Sequence, residues 1–296
     1  MVSHAHAHAY VDVLIPTFNR ATALAMTLTS LVGQTTRDFR VVVSDQTEST
    51  GGADALEVRA AARVLRSHGH VVEITRGRRR RGMAEQRQFL LDQATAPFAL
   101  FLDDDVILEP DVVERMARTL AATRCGFVGM ALHGLSYAGD IRPDQEAIEF
   151  WDGPVEPETI VPRSAAWERY KLHNAANLWH VQRRLNLTPA TQRLYRVAWV
   201  GGCAMYDTEA LRTVGGFRFW EEIPPDHAGE DVLAQLRVMA RFGGCGIIPS
   251  GVYHMELPTT VSDRRVNAPE VLPLSPDSEN TERRVPTTEK AMRNGR

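Results

Sequence analysis

The chain has 296 residues, of which 44% are apolar and 24% charged, and its formal net charge is −3. That length carries one large α/β domain or two small ones, with enough apolar residues for a sizeable core. The balanced charge excludes a global field for nucleic acid or an anionic membrane, and no run reaches the ~18 apolar residues of a membrane helix.

The three cysteines, Cys125, Cys203 and Cys245, are odd in number and show no metal-ligand spacing. They read as reduced thiols of a cytoplasmic protein. The N-terminus has no charged stretch followed by an apolar core, so no secretory signal is expected. His4, His6 and His8 alternate with alanine. Residues 1–9 read as a flexible segment outside the fold, with metal chelation as the other reading.

Strand and helix periods then alternate. Val11 to Ile15 predicts a strand that ends at Pro16. Asn19 is the expected N-cap of a helix carrying Leu24, Leu28, Leu31 and Val32 on one face. Arg40 to Ser44 predicts a second strand, and Leu56, Ala60, Val64 and Leu65 the buried face of a second helix. Val71 to Thr75 and Phe98 to Leu102 predict further strands. Met83, Leu90, Leu91 and Ala94, and then Val112, Val113, Met116 and Leu120, mark further helices. This alternation implies a single α/β domain, a Rossmann-like, mostly parallel sheet flanked by helices. Such sheets bind ligands beyond the carboxyl ends of their strands.

From His133 to Arg196 the pattern loosens. Prolines interrupt it and aromatics recur, among them Tyr137, Trp151, Trp167, Tyr170 and Trp179. Trp151, Trp167 or Trp179 is expected either to line a groove where rings stack on a substrate or to sit in the core. Regular structure resumes at Val197 to Tyr206. Helices are expected at Thr208 to Val214 and after Gly229. Residues 257–296 are polar and rich in proline and charge, which predicts an extended tail. The domain is therefore expected at 10–256, with 10–132 and 133–256 as its two parts.

The strongest chemical feature is Asp103-Asp104-Asp105 after a doubly buried strand. Crowded carboxylates repel one another, and a hard divalent cation would offset the charge through oxygen ligands. The other reading is a solvated acidic turn that caps the next helix. Arg76 and Arg78 to Arg81 form a basic run. It reads as a phosphate clamp, as a contact to an anionic membrane surface such as the inner membrane face or to a charged substrate, or as a solvated turn.

Several segments resemble family 2 glycosyltransferases of the GT-A fold. Val11 to Arg20 (VDVLIPTFNR) resembles the opening strand and turn, and Val41 to Asp45 the second strand with its nucleotide-binding aspartate. Gly82 to Arg87 resembles the glycine-to-arginine segment, and Asp103 to Asp105 stands where the family has its Asp-x-Asp metal motif. Trp199 to Met205 resembles the acceptor-side strand. Gly215-Gly216-Phe217, with Gly229-Glu230-Asp231 after it, resembles the segment bearing the catalytic base. The resemblance spans about residues 10 to 255. Two departures are Ser44 before Asp45, where the family often has two acids, and Gln88 after Arg87, where it usually has asparagine.

The resemblance implies transfer of a sugar from a nucleotide-sugar donor to a carbohydrate or other hydroxyl-bearing acceptor, with inversion and with Mn2+ or Mg2+ as cofactor. It implies Asp231 as base, with Glu230 beside it on catalytic or hydroxyl-binding duty. Pro16, Thr17, Phe18, Asn19, Arg20, Asp45, Gly82, Arg87, Asp103 and Asp104 become the expected donor-binding residues, and Asp105 and His254 the metal ligands. Without the resemblance, His254 reads equally as a structural histidine, and Glu230 and Asp231 as acids at a helix N-terminus. A silent nucleotide-sugar-binding protein and a sugar nucleotidylyltransferase are the rival readings. The latter lacks its expected glycine-rich loop after the first strand.

Overall fold

The apolar run Val11–Thr17 forms β1, every residue of which is buried. In this computed structural model, which describes residues 10–48, 51–76, 80–261 and 263–274, β1 is followed by α1 (Ala21–Val32), β2 (Phe39–Asp45), α2 (Leu56–Ser67), β3 (Val72–Thr75), α3 (Met83–Gln93), β4 (Phe98–Leu102), β5 (Val106–Leu108), α4 (Val112–Thr123) and β6 (Phe127–Gly129). After a long irregular stretch come α5 (Asn177–Arg184), β7 (Arg193–Tyr195), β8 (Cys203–Asp207), α6 (Thr208–Thr213), α7 (Glu230–Phe242), β9 (Gly244–Ile248), β10 (Val252–His254) and α8 (Ala268–Val271).

Eight strands form one sheet in the order β3-β2-β1-β4-β8-β6-β9-β7. The β3-β2-β1-β4 half is parallel throughout. β8 then runs antiparallel to both β4 and β6. The period of two along each strand sorts side chains onto two faces. Val11, Val13, Ile15, Val41, Val43, Leu100 and Leu102 join residues of α1, α2 and α4 in one core. Leu14, Val42, Ala99, Phe101, Ala204 and Tyr206 join α3, α6 and α7 in the other. Both faces are covered, so the polar end of β4 is the natural outlet for chemistry.

Several expectations shift. Asn19 is not the N-cap of α1: it takes a left-handed conformation (φ 55°), its N–H donates to Thr47 Oγ1 at 2.8 Å, and Arg20 occupies the N-cap position without a side-chain capping bond. The buried face of α2 is Val58, Ala61, Ala62 and Leu65, whereas Leu56 is 77% exposed. The strand expected at Val197 to Tyr206 is confined to β8. Short β5 and β10, missed by the periodicity, pair antiparallel and set His254 opposite Val106. The chain past 256 is not loose throughout. Ala228 and Asn267 form a bridge, and Val266, Ala268, Leu272 and Leu274 pack on the second core. His4, His6, His8, Arg78, Arg79 and the last 22 residues lie outside the described residues. Among the described residues, no helix is long and apolar enough to cross a membrane.

Asp12 on β1 is fully buried. Its carboxylate accepts from Arg40 Nε at 2.6 Å and Nη2 at 3.1 Å. It also accepts from the backbone N–H groups of Thr95 and Ala96 at 2.6 and 2.9 Å, just before β4. Breaking such a pair leaves a desolvated cation and two unpaired amides. Asp12→Ala is therefore expected to lower stability by about 3 kcal/mol, measured as a fall in the urea midpoint. A loss under about 1 kcal/mol would show that the pair is not structural.

Candidate functional site

The acidic triplet leaves the sheet as β4 ends. Asp103 N–H donates to the Gly202 carbonyl at 2.9 Å. The next turn is held by Thr27 of α1, whose hydroxyl donates to the Asp104 carbonyl at 2.8 Å and accepts from Val106 N–H at 3.2 Å. The three carboxylates are thereby aimed apart, each onto a different cation or hydroxyl. Asp103 Oδ1 accepts from Arg87 Nη2 at 3.0 Å. Asp104 accepts from the Thr17 hydroxyl at 2.6 Å and from Arg20 Nη1 at 3.2 Å. Asp105 Oδ2 lies 2.7 Å from Arg20 Nη1 and 3.4 Å from His254 Nε2.

Glu230 and Asp231 open α7. Gly229 precedes them in the left-handed region (φ 75°), and a Cβ there would fall 2.2 Å from Asn267 Oδ1. Only glycine makes this entry without strain. Glu230 accepts from Arg87 Nε at 3.1 Å. Asp231 Oδ1 accepts from its neighbour Val232 N–H at 2.9 Å.

Two cavities meet here. One, of about 540 Å³, is lined by Pro16, Thr17, Phe18, Arg20, Arg87, Asp103, Asp104, Asp105, Glu230, Asp231 and His254, with Leu257, Thr259, Thr260, Val261 and Arg264 from the segment after β10. The other, of about 660 Å³, shares Asp103, Asp231, His254, Leu257 and Arg264, and adds Tyr137, Tyr170, His173, Asn174 and Trp199. The Gly201-Gly202 turn lines the second cavity. Gly202 has φ 74°, and a Cβ on it would come within 2.8 Å of Leu132 and 3.2 Å of Asp103 Oδ2. A hollow of about 710 Å³ on the α2 face is lined by four arginines and no carboxylate, so it lacks acid–base groups.

Eleven of the fourteen expected site residues thus line one cavity. Three stand apart from it. Asp45 is buried, and its oxygens accept from the backbone N–H groups of Thr47 (2.8 Å) and Ala53 (2.7 Å), which commits the carboxylate to shaping its own loop. Asn19 faces that same loop. Gly82 lines a small adjoining pocket with Phe18, Gln46 and Arg80. Arg80 of the basic run lines that small pocket, its guanidinium 4.7 Å from the Phe18 ring centre. Arg76 pairs with Asp54 instead.

The expected acceptor tryptophans are elsewhere. Trp151 packs on the first core under Arg196, Trp179 stacks with Arg183, and Trp167 sits behind Trp199 at 4.5 Å. The aromatic wall is instead Trp199 and Tyr170, stacked 14° from parallel. Trp199 was legible from its motif. Tyr170 and Arg264, in irregular segments, carried no periodic signal.

Burial pushes Asp104 up to about 6, against the Thr17 hydrogen bond and the Arg20 charge. Burial also raises Asp105, but the hydrogen bond and charge of His254 and the charge of Arg20 outweigh it and hold it below the usual carboxylate range. The hydrogen bond to Asp105 raises His254 despite burial. Asp231 is pushed up to about 7 by burial and by the charges of Glu230 and Asp103, with Arg87 opposing.

No group of three or more His, Cys, Asp or Glu converges on a metal position among the described residues. Asp105 with His254 nonetheless fits a hard divalent ion. Such ions are commonly held by one or two protein groups, with phosphates and water completing the shell. His254 Nδ1 accepts from Glu256 N–H at 3.1 Å, so ligation through Nε2 would require that amide to turn away.

Comparison with known proteins supplies the context. The model of the family described as glycosyl transferase family 2 matches residues 12–214. The crystal structure of S. aureus TarS 1-349 superposes with a TM-score of 0.52 at 16% identity, over 82% of this chain and 60% of that one. TarS 1-349 in complex with UDP-GlcNAc gives 0.51 at 15%, over 85% and 60%. The chain thus aligns with about 60% of the length of these structures, and at such identity the likeness establishes the fold. No curated protein matches the sequence significantly.

The raised Asp231 has a consequence for stability. Its folded value lies above the ordinary carboxylate value, so between about pH 4 and pH 7 the folded state keeps a proton that the unfolded state releases. Stability falls as pH rises through that window. Asp231→Asn removes the fall. The variant should be more stable than the parent by about 2 kcal/mol at pH 8 and nearly equal at pH 4.5, as read by urea unfolding at both values. A pH-independent difference would contradict the raised value.

Proposed function

We propose that this chain, which belongs to glycosyl transferase family 2, transfers a sugar from a nucleotide-diphosphate sugar to an acceptor hydroxyl, with inversion and with a divalent metal. One observation carries the reading: Asp231 and Asp103 stand at the junction of two cavities, one rich in carboxylates and arginine and the other walled by aromatic rings. A donor on one side and an acceptor on the other would meet at Asp231. The nucleotide-sugar complex of TarS supports the donor class.

Each residue's task follows from charge. The acceptor hydroxyl is a poor nucleophile until its proton is removed. Asp231, with its raised proton affinity, accepts that proton as the new bond forms. Glu230 is held on Arg87 and so is not free to do so. Departure of the diphosphate builds negative charge on the other side. Arg20 faces that cavity and offers a bidentate partner to phosphate. A divalent ion held by Asp105 and His254 would supply Lewis-acid stabilisation of the leaving group. Asp103, pinned by Arg87, presents its second oxygen toward the cavity for ribose hydroxyls. Trp199 and Tyr170 offer a flat apolar face to a sugar ring, which favours a carbohydrate acceptor. The three cysteines are buried and free, in keeping with a reducing cytoplasmic setting.

Three substitutions divide these roles. Asp231→Asn should keep donor binding by calorimetry while kcat falls roughly 10²- to 10⁴-fold; near-parental turnover would remove Asp231 as base. Asp105→Ala should abolish manganese-dependent binding of UDP or GDP and leave the circular dichroism unchanged. Persistence of that binding would show that the metal sits elsewhere. Trp199→Ala should raise acceptor KM about tenfold at unchanged donor affinity, whereas a loss confined to donor affinity would place the acceptor outside the aromatic cavity.

A further inference from the structure

Asp105 Oδ2 already has two cationic neighbours. Arg20 Nη1 is at 2.7 Å and also reaches Asp104 Oδ1 at 3.2 Å. His254 Nε2 is at 3.4 Å on the same oxygen. The Arg20 side chain is only 15% exposed. Its other nitrogen, Nη2, donates to the Pro258 carbonyl, whose chain neighbours Leu257 and Thr259 line the cavity. A guanidinium and a divalent cation at one carboxylate oxygen repel each other, and in a half-buried site little water screens them.

We propose that Arg20 is a built-in counter-cation that competes with the divalent metal for Asp105 and, when the metal arrives, swings from the carboxylates onto the donor diphosphate. This rests on the metal and donor reading of the cavity given above. Charge balance supports it. Asp103, Asp104, Asp105, Glu230 and Asp231 surround the cavity, with Arg20 and Arg87 as the arginines paired with them and Arg264 also lining it. Arg20 and Arg87 each bridge two acids, but the Arg87 side chain is 5% exposed and that of Arg20 15%, so Arg20 is the one with more room to move. A dication at Asp105 makes the Arg20 charge surplus there, and a diphosphate in the same cavity takes it up. Metal and diphosphate therefore help each other bind, and the help is reciprocal.

Arg20 also connects this exchange to the segment after β10, which helps line the cavity. That segment is tied to the metal-side residues at three points, the Met255 N–H on the Asp105 carbonyl, the Pro258 carbonyl on Arg20 and the Glu256 N–H on His254 Nδ1. A further tie runs from Arg80 Nη2 to the Thr260 carbonyl at 3.3 Å. Departure of Arg20 from the carboxylates releases the Pro258 tie, so metal arrival loosens residues 256–261 before any donor is present.

The test is a binding cycle with Mn2+, with UDP or GDP, and with both, on the full chain and on Arg20→Gln and Arg20→Met, each first checked for parental circular dichroism. Calorimetry should show both variants binding Mn2+ alone about tenfold more tightly than the parent, as expected if Arg20 leaves Asp105 open about one-tenth of the time. The enhancement of Mn2+ affinity by the nucleotide should shrink by about the same factor. In the parent, hydrogen exchange over residues 256–261 should rise on adding Mn2+ without nucleotide, a readout that needs no variant. Unchanged or weaker Mn2+ binding by the folded variants, or unchanged exchange in the parent, overturns the counter-cation role while leaving the metal assignment standing. No Mn2+ binding by the parent with either nucleotide overturns the metal reading itself, and the exchange with it.

Discussion

The site depends on one guanidinium. Arg87 of α3 is nearly fully buried and reaches Asp103 at the end of β4 (3.0 Å) and Glu230 at the start of α7 (3.1 Å). These acids come from elements more than a hundred residues apart, and without a cation between them they would repel. Burial of Arg87 opposes its charge, but the surrounding carboxylates prevail and raise its proton affinity. The same contact sorts two adjacent acids. Glu230 is neutralised by Arg87, while Asp231, one residue on, has no such partner and takes up the raised proton affinity. An acid of raised proton affinity beside one held in an ion pair is a usual basis for separate acid–base roles. Here the sorting is done by which of the two can reach Arg87.

Much of the fold was legible because it obeys simple periods. β1, β2 and β4 are doubly buried apolar runs, and their alternation with helices dictates a parallel half-sheet. The misreadings have physical causes. Asn19 resembles an N-cap in composition, but its N–H is drawn to Thr47 and its backbone is turned left-handed. In α2, Leu56 belongs to the apolar pattern yet faces solvent, because Val58, Ala61, Ala62 and Leu65 form the buried stripe of a helix that packs on α1 and β3. The three-residue strands β5 and β10 are too short to show a period. They exist because Thr27 and the Gly251 turn bring their backbones together, which no local pattern records.

The candidate site divides in the same way. Residues at the ends of regular elements, Asp103 to Asp105 after β4 and Glu230 with Asp231 at the head of α7, were readable, because strand ends and helix starts are where an α/β sheet exposes polar groups. Asp45 also ends a strand, and its carboxylate accepts from two backbone amides of its own loop. A strand-end acid can thus also organise its loop, which no local pattern records. The aromatic wall was harder. Tyr170 lies in a short 3-10 helix and Trp199 in extended chain, and they stack only because Trp167 supports Trp199 from behind. Tryptophan content marked the right region, but tertiary packing decided which rings reach the cavity.

An anionic cavity is an odd host for a diphosphate, and the oddity is informative. Five carboxylates would repel a donor unless cations were supplied, and within the cavity Arg87 is already spent on two of them. Asp104 relieves part of the strain by proton uptake, since burial raises it to about 6. Asp105 does not, because Arg20 and His254 keep it ionised. The cavity therefore holds one carboxylate that is persistently charged and paired with cations able to leave. Under the function proposed above, such a group would receive the metal, and the remaining carboxylates would disfavour a diphosphate until the metal is in place. The proposed order, metal before diphosphate, rests on this charge distribution around β4.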